Sequence, residues 1–157
     1  MLDIRPVLFI TGFVLLILAT AMGIPLLVDL ATDHSEWQAF AFSSMASGFV
    51  GLALIWANHT ANEQGLRTRQ AFLVTVTGWL LAAIFGALPF YFGSLHLSPV
   101  DALFETISGI TTTGSTVISG LDQTPRSILL WRALLQWLGG IGVIITSVAL
   151  LPVLRIG

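Results

Sequence analysis

The sequence predicts an all-α integral membrane protein with four transmembrane helices, plus one re-entrant half-helix and its loop between the third and fourth. Three observations carry this. Only 9% of the 157 residues are charged, against roughly 25% in an ordinary soluble domain. Hydrophobic residues make up 55% of the chain, and mean hydropathy is +0.92. The charges are bunched, leaving uncharged windows at 6–28, 37–62, 70–100 and 133–154, each long enough for the ~20 apolar residues that cross a hydrocarbon core. A water-soluble globular enzyme is thereby excluded. All six basic residues are Arg and the formal net charge is −2, so the basic surface that nucleic acid or anionic lipid attracts is missing. Without Cys there is no disulfide, thiolate metal site or thiol catalysis.

The first span covers about 6–28, with Gly23 and Pro25 near its end, where a helix at membrane depth tolerates a kink. Its opening has the outline of a signal peptide, an apolar run followed by Ala19, Thr20 and Ala21. Asp3 offsets Arg5, and the apolar run continues through Met22, Ile24, Leu26, Leu27 and Val28, which favours a retained span. A polar loop with Asp29, Asp33, His34 and Glu36 follows. Trp37 opens the second span and Trp56 closes it, at the depths where indole rings prefer the interface. A second loop over 59–69 contains Arg67 and Arg69; a third span begins near 70, reaches about 92 and is bounded at 97, and a fourth runs over 127–154.

Arg positions set orientation, because cationic segments near span ends resist translocation. With the N-terminus inside, Arg5, Arg67, Arg69 and Arg155 are cytoplasmic, while Arg126 and Arg132 are outside or in the outer leaflet. Asp29, Asp33, Glu36, Asp101, Glu105 and Asp122 then face outward. Two readings stand, a negative vestibule that concentrates cations and plain solvated carboxylates.

Residues 106–121 are uncharged yet rich in Thr, Ser and Gly, so they do not cross the membrane. Ser98-Pro99-Val100-Asp101 places a capping hydroxyl, a proline at the first helical position and an acid at the third. A helix starting at Pro99 and reaching Gly109 has a length of roughly 16 Å at ~1.5 Å per residue, half a membrane. From the outer face it would end near the midplane, with the negative end of its macrodipole and its last carbonyls toward whatever sits there; a bare cation fits. Thr111-Thr112-Thr113-Gly114-Ser115-Thr116 follows. β-branched residues favour extended backbone, and a glycine lets successive carbonyls turn toward an axis where they replace an ion's hydration shell. The alternative is a Thr-rich outer loop with no pore.

Span, capped half-helix, Thr-Thr-Thr-Gly-Ser and span together make a membrane-pore-membrane unit. The run Phe104-Glu105-Thr106-Ile107-Ser108-Gly109-Ile110-Thr111-Thr112-Thr113-Gly114-Ser115-Thr116, followed by Trp131-Arg132-Ala133-Leu134-Leu135-Gln136-Trp137-Leu138-Gly139-Gly140-Ile141-Gly142, resembles the first repeat of the Trk-type potassium uptake family, the TrkH subunit within the Trk, Ktr and HKT superfamily. The resemblance is strongest over 104–142 and elsewhere rests on the order of spans. It implies two leading helices over 1–69 and a first repeat over 70–157, with pore helix 98–110 and filter loop 111–117. It further implies that Thr112 and Thr113 offer backbone carbonyls to potassium, supported by Thr111, Gly114 and Ser115. Other implications are potassium as the transported ion with no cofactor, a multi-pass place in a bacterial inner membrane, a homodimer, and a cytosolic nucleotide-binding regulatory subunit. A ring of carbonyls needs four loops and this chain has one. The favoured account is a fragment whose longer chain supplies three more repeats, over a homotetramer.

Further residues carry paired readings. Glu105 follows Asp101 by four residues on one helix face, and could orient the filter by accepting hydrogen bonds from backbone or Thr hydroxyls. Arg132, one turn into the last span, is an ionisable candidate, with snorkelling or pairing to Asp122 preferred. Gly139, Gly140 and Gly142 serve packing or a hinge beside the pore, and Gly78, Ala82 and Gly86, Ser44 with Gly48, and Ser47 with Gly51 give smooth packing faces. His34, His59 and His96 lack metal-ligand spacing. Asn58-His59-Thr60 is a glycosylation sequon that this topology leaves inside. An intramembrane enzyme lacks a base at depth, since Lys is absent and each His lies at a span end. A helical assembly module without transport is the remaining alternative.

Overall fold

The computed structural model describes residues 3–32, 36–59 and 67–154, with side chains up to Val148. Asp33, His34, Thr60 of the sequon, and Arg155 with the chain end lie outside the described residues. Pro6 sits at the head of α1 (Arg5–Ala31), where its missing N–H is no loss. α1 passes through Pro25 to Ala31, beyond the expected end at 28, and takes Asp29 into its last turn at 1% exposure instead of leaving it in a loop. α2 (Trp37–Ala57) has the expected bounds. The third span is broken. α3 (Thr68–Gly86) stops short and a five-residue α4 (Leu88–Phe92) follows, because Pro89 cannot donate to the preceding turn and its ring crowds the carbonyl four residues back. The Trp131 indole N–H donates to the Gly86 carbonyl at 3.0 Å, satisfying an acceptor at the break. α5 (Pro99–Ile110) and α6 (Arg126–Leu154) complete the order, with a 3₁₀ turn at Leu121–Gln123 between them.

Among the described residues four helices, counting α3 with α4 as one, are long and apolar enough to cross a membrane. α1 and α2 run antiparallel. Ser44 donates to the Ala19 carbonyl at 2.8 Å, and at the crossing of Gly12 with Gly51 a Cβ on either would meet the other's carbonyl oxygen at 2.8 or 2.9 Å. Small residues here let backbones approach closely, as in membrane helix pairs. α1 and α3 start at the same end, where the Gln70 amide donates to the Asp3 carbonyl at 2.7 Å, and meet again through Thr11 and Thr77 hydroxyls 3.2 Å apart.

The core gathers where α5 sits. Leu18 and Met22 of α1, Phe40 of α2, Ala83 of α3, Phe90 of α4, Ala102 and Ile110 of α5, and Ile128, Trp131 and Leu135 of α6 form one buried cluster. Phe40 meets the Trp131 ring edge to face at 6.3 Å, a geometry aromatic pairs favour. Large side chains such as Met45, Phe49, Trp56, Trp137 and Ile144 face outward, each more than 60% exposed.

Candidate functional site

The Ser98 hydroxyl accepts from the Asp101 N–H at 3.2 Å and donates to the Asp101 carboxylate at 2.7 Å, so α5 starts at Pro99 as its cap sequence dictates. The acid closes on the hydroxyl instead of on the capping residue's own N–H. α5 then runs beside the first half of α6 in the same direction, with Glu105 against Arg132, Gly109 against Leu135 and Ile110 against Gly139. A Cβ at position 139 would overlap the Ile110 backbone. That close approach accounts for Gly139 as packing, while Gly140 faces open space and Gly142 would make only ordinary contact with Trp79.

Past Ile110 the chain folds back over the end of α5. Thr111 N–H donates to the Ile107 carbonyl, Thr112 to Gly109, and Thr113 and Gly114 both to Ser108 at 3.0 and 3.3 Å. The last carbonyls of α5 are therefore capped by the loop, where the sequence reading had them aimed at an ion. The wrap needs left-handed backbone at two positions, Thr112 (φ 58°) and Gly114 (φ 78°). Glycine adopts this freely, while a β-branched residue does so at a cost. The Thr111 and Thr113 hydroxyls lie 2.9 Å apart, and Thr111 also donates to the Ile107 carbonyl at 2.7 Å.

The outgoing limb is held by two side chains of α5. The Ser108 hydroxyl donates to the Ser115 carbonyl at 2.6 Å. Glu105, 1% exposed, accepts on Oε1 from the Thr116 hydroxyl and from the Val117 N–H at 2.6 Å. Its Oε2 accepts from Arg132 Nε at 2.8 Å. Arg132 thus pairs with Glu105 on the neighbouring helix, not with Asp122, because α6 lies parallel to α5 and carries its guanidinium past the buried carboxylate. The three bonds occupy both oxygens of a carboxylate that would be expensive to bury unpaired.

Between these anchors, residues 111–117 are all exposed, and among the described residues no protein group donates to the carbonyls of Thr111, Thr112, Thr113 or Gly114. The segment presents bare backbone acceptors on a turn held at both limbs, an arrangement that suits a dehydrated cation.

The acidic vestibule is not assembled as expected. Asp29, Glu36 and Glu105 are each at most 5% exposed. Glu36 is consumed as an acceptor for the Ser94 N–H, 3.1 Å from each carboxylate oxygen. Asp122 is exposed and Asp101 half-buried. Sequence reasoning placed Glu36 outward and missed its burial and its bond to Ser94; the signal was slight, a carboxylate directly before an interfacial Trp. It also gave no weight to Gln136, whose amide lies beside Gly114.

Comparison with known proteins agrees with this architecture. The TrkH family model, described as a cation transport protein, matches residues 36–157. The chain is 40% identical over 157 residues to the Trk system potassium uptake protein TrkH of Halomonas elongata, covering 99% of this chain and 32% of that protein. It is 36% identical over 155 residues to TrkG of Escherichia coli K12, covering 98% of this chain and again 32% of the relative. The crystal structure of the potassium transporter TrkH from Vibrio parahaemolyticus superposes with a TM-score of 0.88 at 34% identity, over 99% of this chain and 33% of that one. The chain spans about a third of the length of the curated relatives it matches. These relatives are transporters and not enzymes, and the match extends through the leading helix that the family model omits. From the capped α5, the Thr-Thr-Thr-Gly turn and the close-packed α6 to these likenesses, the observations converge: this multi-pass membrane chain belongs to the TrkH family of cation transport proteins.

Proposed function

We propose that this chain takes part in potassium uptake and forms the first quarter of a potassium-selective pore. In this reading residues 1–69 are two leading helices and residues 70–157 one membrane-pore-membrane repeat. α5 is a re-entrant pore helix, and 111–117 is its filter loop. Thr112 and Thr113 offer their carbonyls to the dehydrated ion, with Thr111, Gly114 and Ser115 shaping the turn. Selectivity follows from the number and field of the coordinating oxygens. Three further repeats of a longer protein complete the ring, and no cofactor takes part.

The observation that carries this reading is the held turn itself. Carbonyls 111–114 have no protein donor among the described residues, while both flanks are fastened, the incoming one by N–H bonds to the carbonyls of Ile107, Ser108 and Gly109 and the outgoing one by the Ser108 hydroxyl and Glu105. Glu105 and Arg132 are positioning residues here. Asp101 serves the start of α5, and Gly139 sets its depth against α6. The bond between Gln70 and Asp3 puts the starts of α1 and α3 at one end, which favours Arg5, Arg67 and Arg69 on a common cytoplasmic side of a bacterial inner membrane. The homodimer and the cytosolic nucleotide-binding regulatory subunit belong to the same reading.

Potassium-dependent growth of an uptake-deficient bacterium tests it. The full-length protein containing this chain should restore growth at low potassium, and its Gly114→Asp form should not, since φ of 78° disfavours a side chain and the added carboxylate disturbs the turn. Equal growth with both forms, at equal membrane levels, would overturn the filter assignment and leave a helical assembly module.

A further inference from the structure

The filter turn has a neighbour to which the reading above gives no task. Gln136 of α6 carries its amide Nε2 to 3.5 Å from where a Cβ on Gly114 would stand. Its place there is fixed from both sides. One turn earlier Arg132 is tied to Glu105 at 2.8 Å, and about one turn later Gly139 lies on the Ile110 backbone. With both points fastened to α5, α6 cannot rotate position 136 away from the loop. The side chain is half-buried, and among the described residues its amide makes no hydrogen bond. Two N–H donors and one acceptor therefore stand beside the turn whose carbonyls, from Thr111 to Gly114, also lack a protein donor.

Resting on the filter assignment and deepening it, we propose that Gln136 is a specificity-determining residue of this loop. A neutral amide beside Gly114 supplies polar donors at the back of the turn. The positive ends of the amide dipole, held beside the turn, offset part of the negative field that its carbonyls present to an ion. Selection between alkali cations depends on field strength and on how freely the oxygens collapse around a smaller ion. The amide thus penalises sodium, which needs closer oxygens, more than potassium or rubidium. Glutamine suits the position because its donors are uncharged. A carboxylate there would remove the donors and add a negative charge to the site, favouring the smaller cation through a stronger field.

The test uses the full-length protein in an uptake-deficient bacterium, with rubidium and sodium uptake measured separately and normalised to membrane protein. Gln136→Leu, similar in size but without the amide, should lower the rubidium-to-sodium uptake ratio about fivefold, the scale of one net polar interaction. Gln136→Glu should lower it further, with sodium uptake rising in absolute terms. Gln136→Met provides a second apolar variant if the leucine form fails to reach the membrane. An unchanged ratio in the apolar and Glu variants overturns the proposal, as does complete loss of uptake at normal membrane levels, since a specificity role leaves a conducting pore. The Gly114→Asp form run alongside separates the two claims. Full uptake by that form overturns the filter assignment itself, whereas its loss beside unchanged ratios for the Gln136 variants overturns this inference alone.

Discussion

The α1–α2 pair and the α5–α6 pair are both built on glycine, yet they are held differently. Between α1 and α2 the contact is backbone against backbone at Gly12 and Gly51. Buried hydroxyls such as Thr11, Ser43 and Ser47 mostly bond carbonyls of their own helix four residues back. Between α5 and α6 a similar seam at Gly139 is joined by a charged network running from Arg132 through Glu105 to Thr116 and Val117. Small-residue packing fixes how near two spans lie. Fixing a loop with no regular structure of its own takes directional bonds to a fully buried acceptor.

That contrast can be broken most severely at its charged centre. Glu105→Ala removes the acceptor for two loop donors and strands Arg132, a change that in buried pairs costs about 3–5 kcal/mol. Uptake by the full-length protein should vanish and its melting temperature in detergent should fall, with Glu105→Gln intermediate in both. Next is Gly139→Ala, whose Cβ overlaps the Ile110 backbone and should cost at or above the top of the ~1–3 kcal/mol range for overpacked sites. Ion uptake assays should show loss of flux here even where membrane protein is still detected.

Gly51→Ala sharpens the comparison from the other side. Its Cβ would lie 2.9 Å from the Gly12 carbonyl, so the pair must separate slightly, at about 1–3 kcal/mol. Membrane levels should drop while the surviving protein keeps its rubidium-to-sodium ratio; an altered ratio would show that the leading helices also set the filter. Thr112→Gly relieves left-handed backbone at φ 58°, and should raise thermal stability by about 0.5–1 kcal/mol, the left-handed penalty less the added freedom of glycine. A comparably small effect of the opposite sign is expected for Ser98→Ala. Loss of that cap should cost ~1 kcal/mol, visible as a small drop in melting temperature with transport nearly unchanged.

Much of the architecture was legible because membrane length and charge avoidance are one-dimensional constraints. Trp37 and Trp56 bracket α2, and Ser98-Pro99 starts α5, because interface preference and capping act over a few neighbouring residues. The break at Gly86 was missed although Pro89 signals it, since an uninterrupted apolar window masks a local backbone defect. Arg132 shows the opposite limit. Asp122 is its nearer acid in sequence, and choosing Glu105 requires knowing that α6 lies parallel to α5 at a given rotation. Asp29 and Glu36, read as loop acids, are buried because α1 continues through Ala31 and the α4–α5 connection folds onto the start of α2.

By itself the sequence determined that this protein is a four-span helical membrane chain with a capped half-length helix, because hydrophobic length and capping are properties of short segments, whereas the threonines expected to be extended fold back through left-handed backbone at Thr112 and Gly114. Only the tertiary structure decided which acceptor each buried donor reaches. It capped the end of α5 with its own loop, bound Glu105 to Arg132, Thr116 and Val117, and set Gln136 beside Gly114. Those outcomes depend on the depth and rotation of two helices, and that register is fixed by the close approach of Gly139 to Ile110, a contact between residues far apart in the chain.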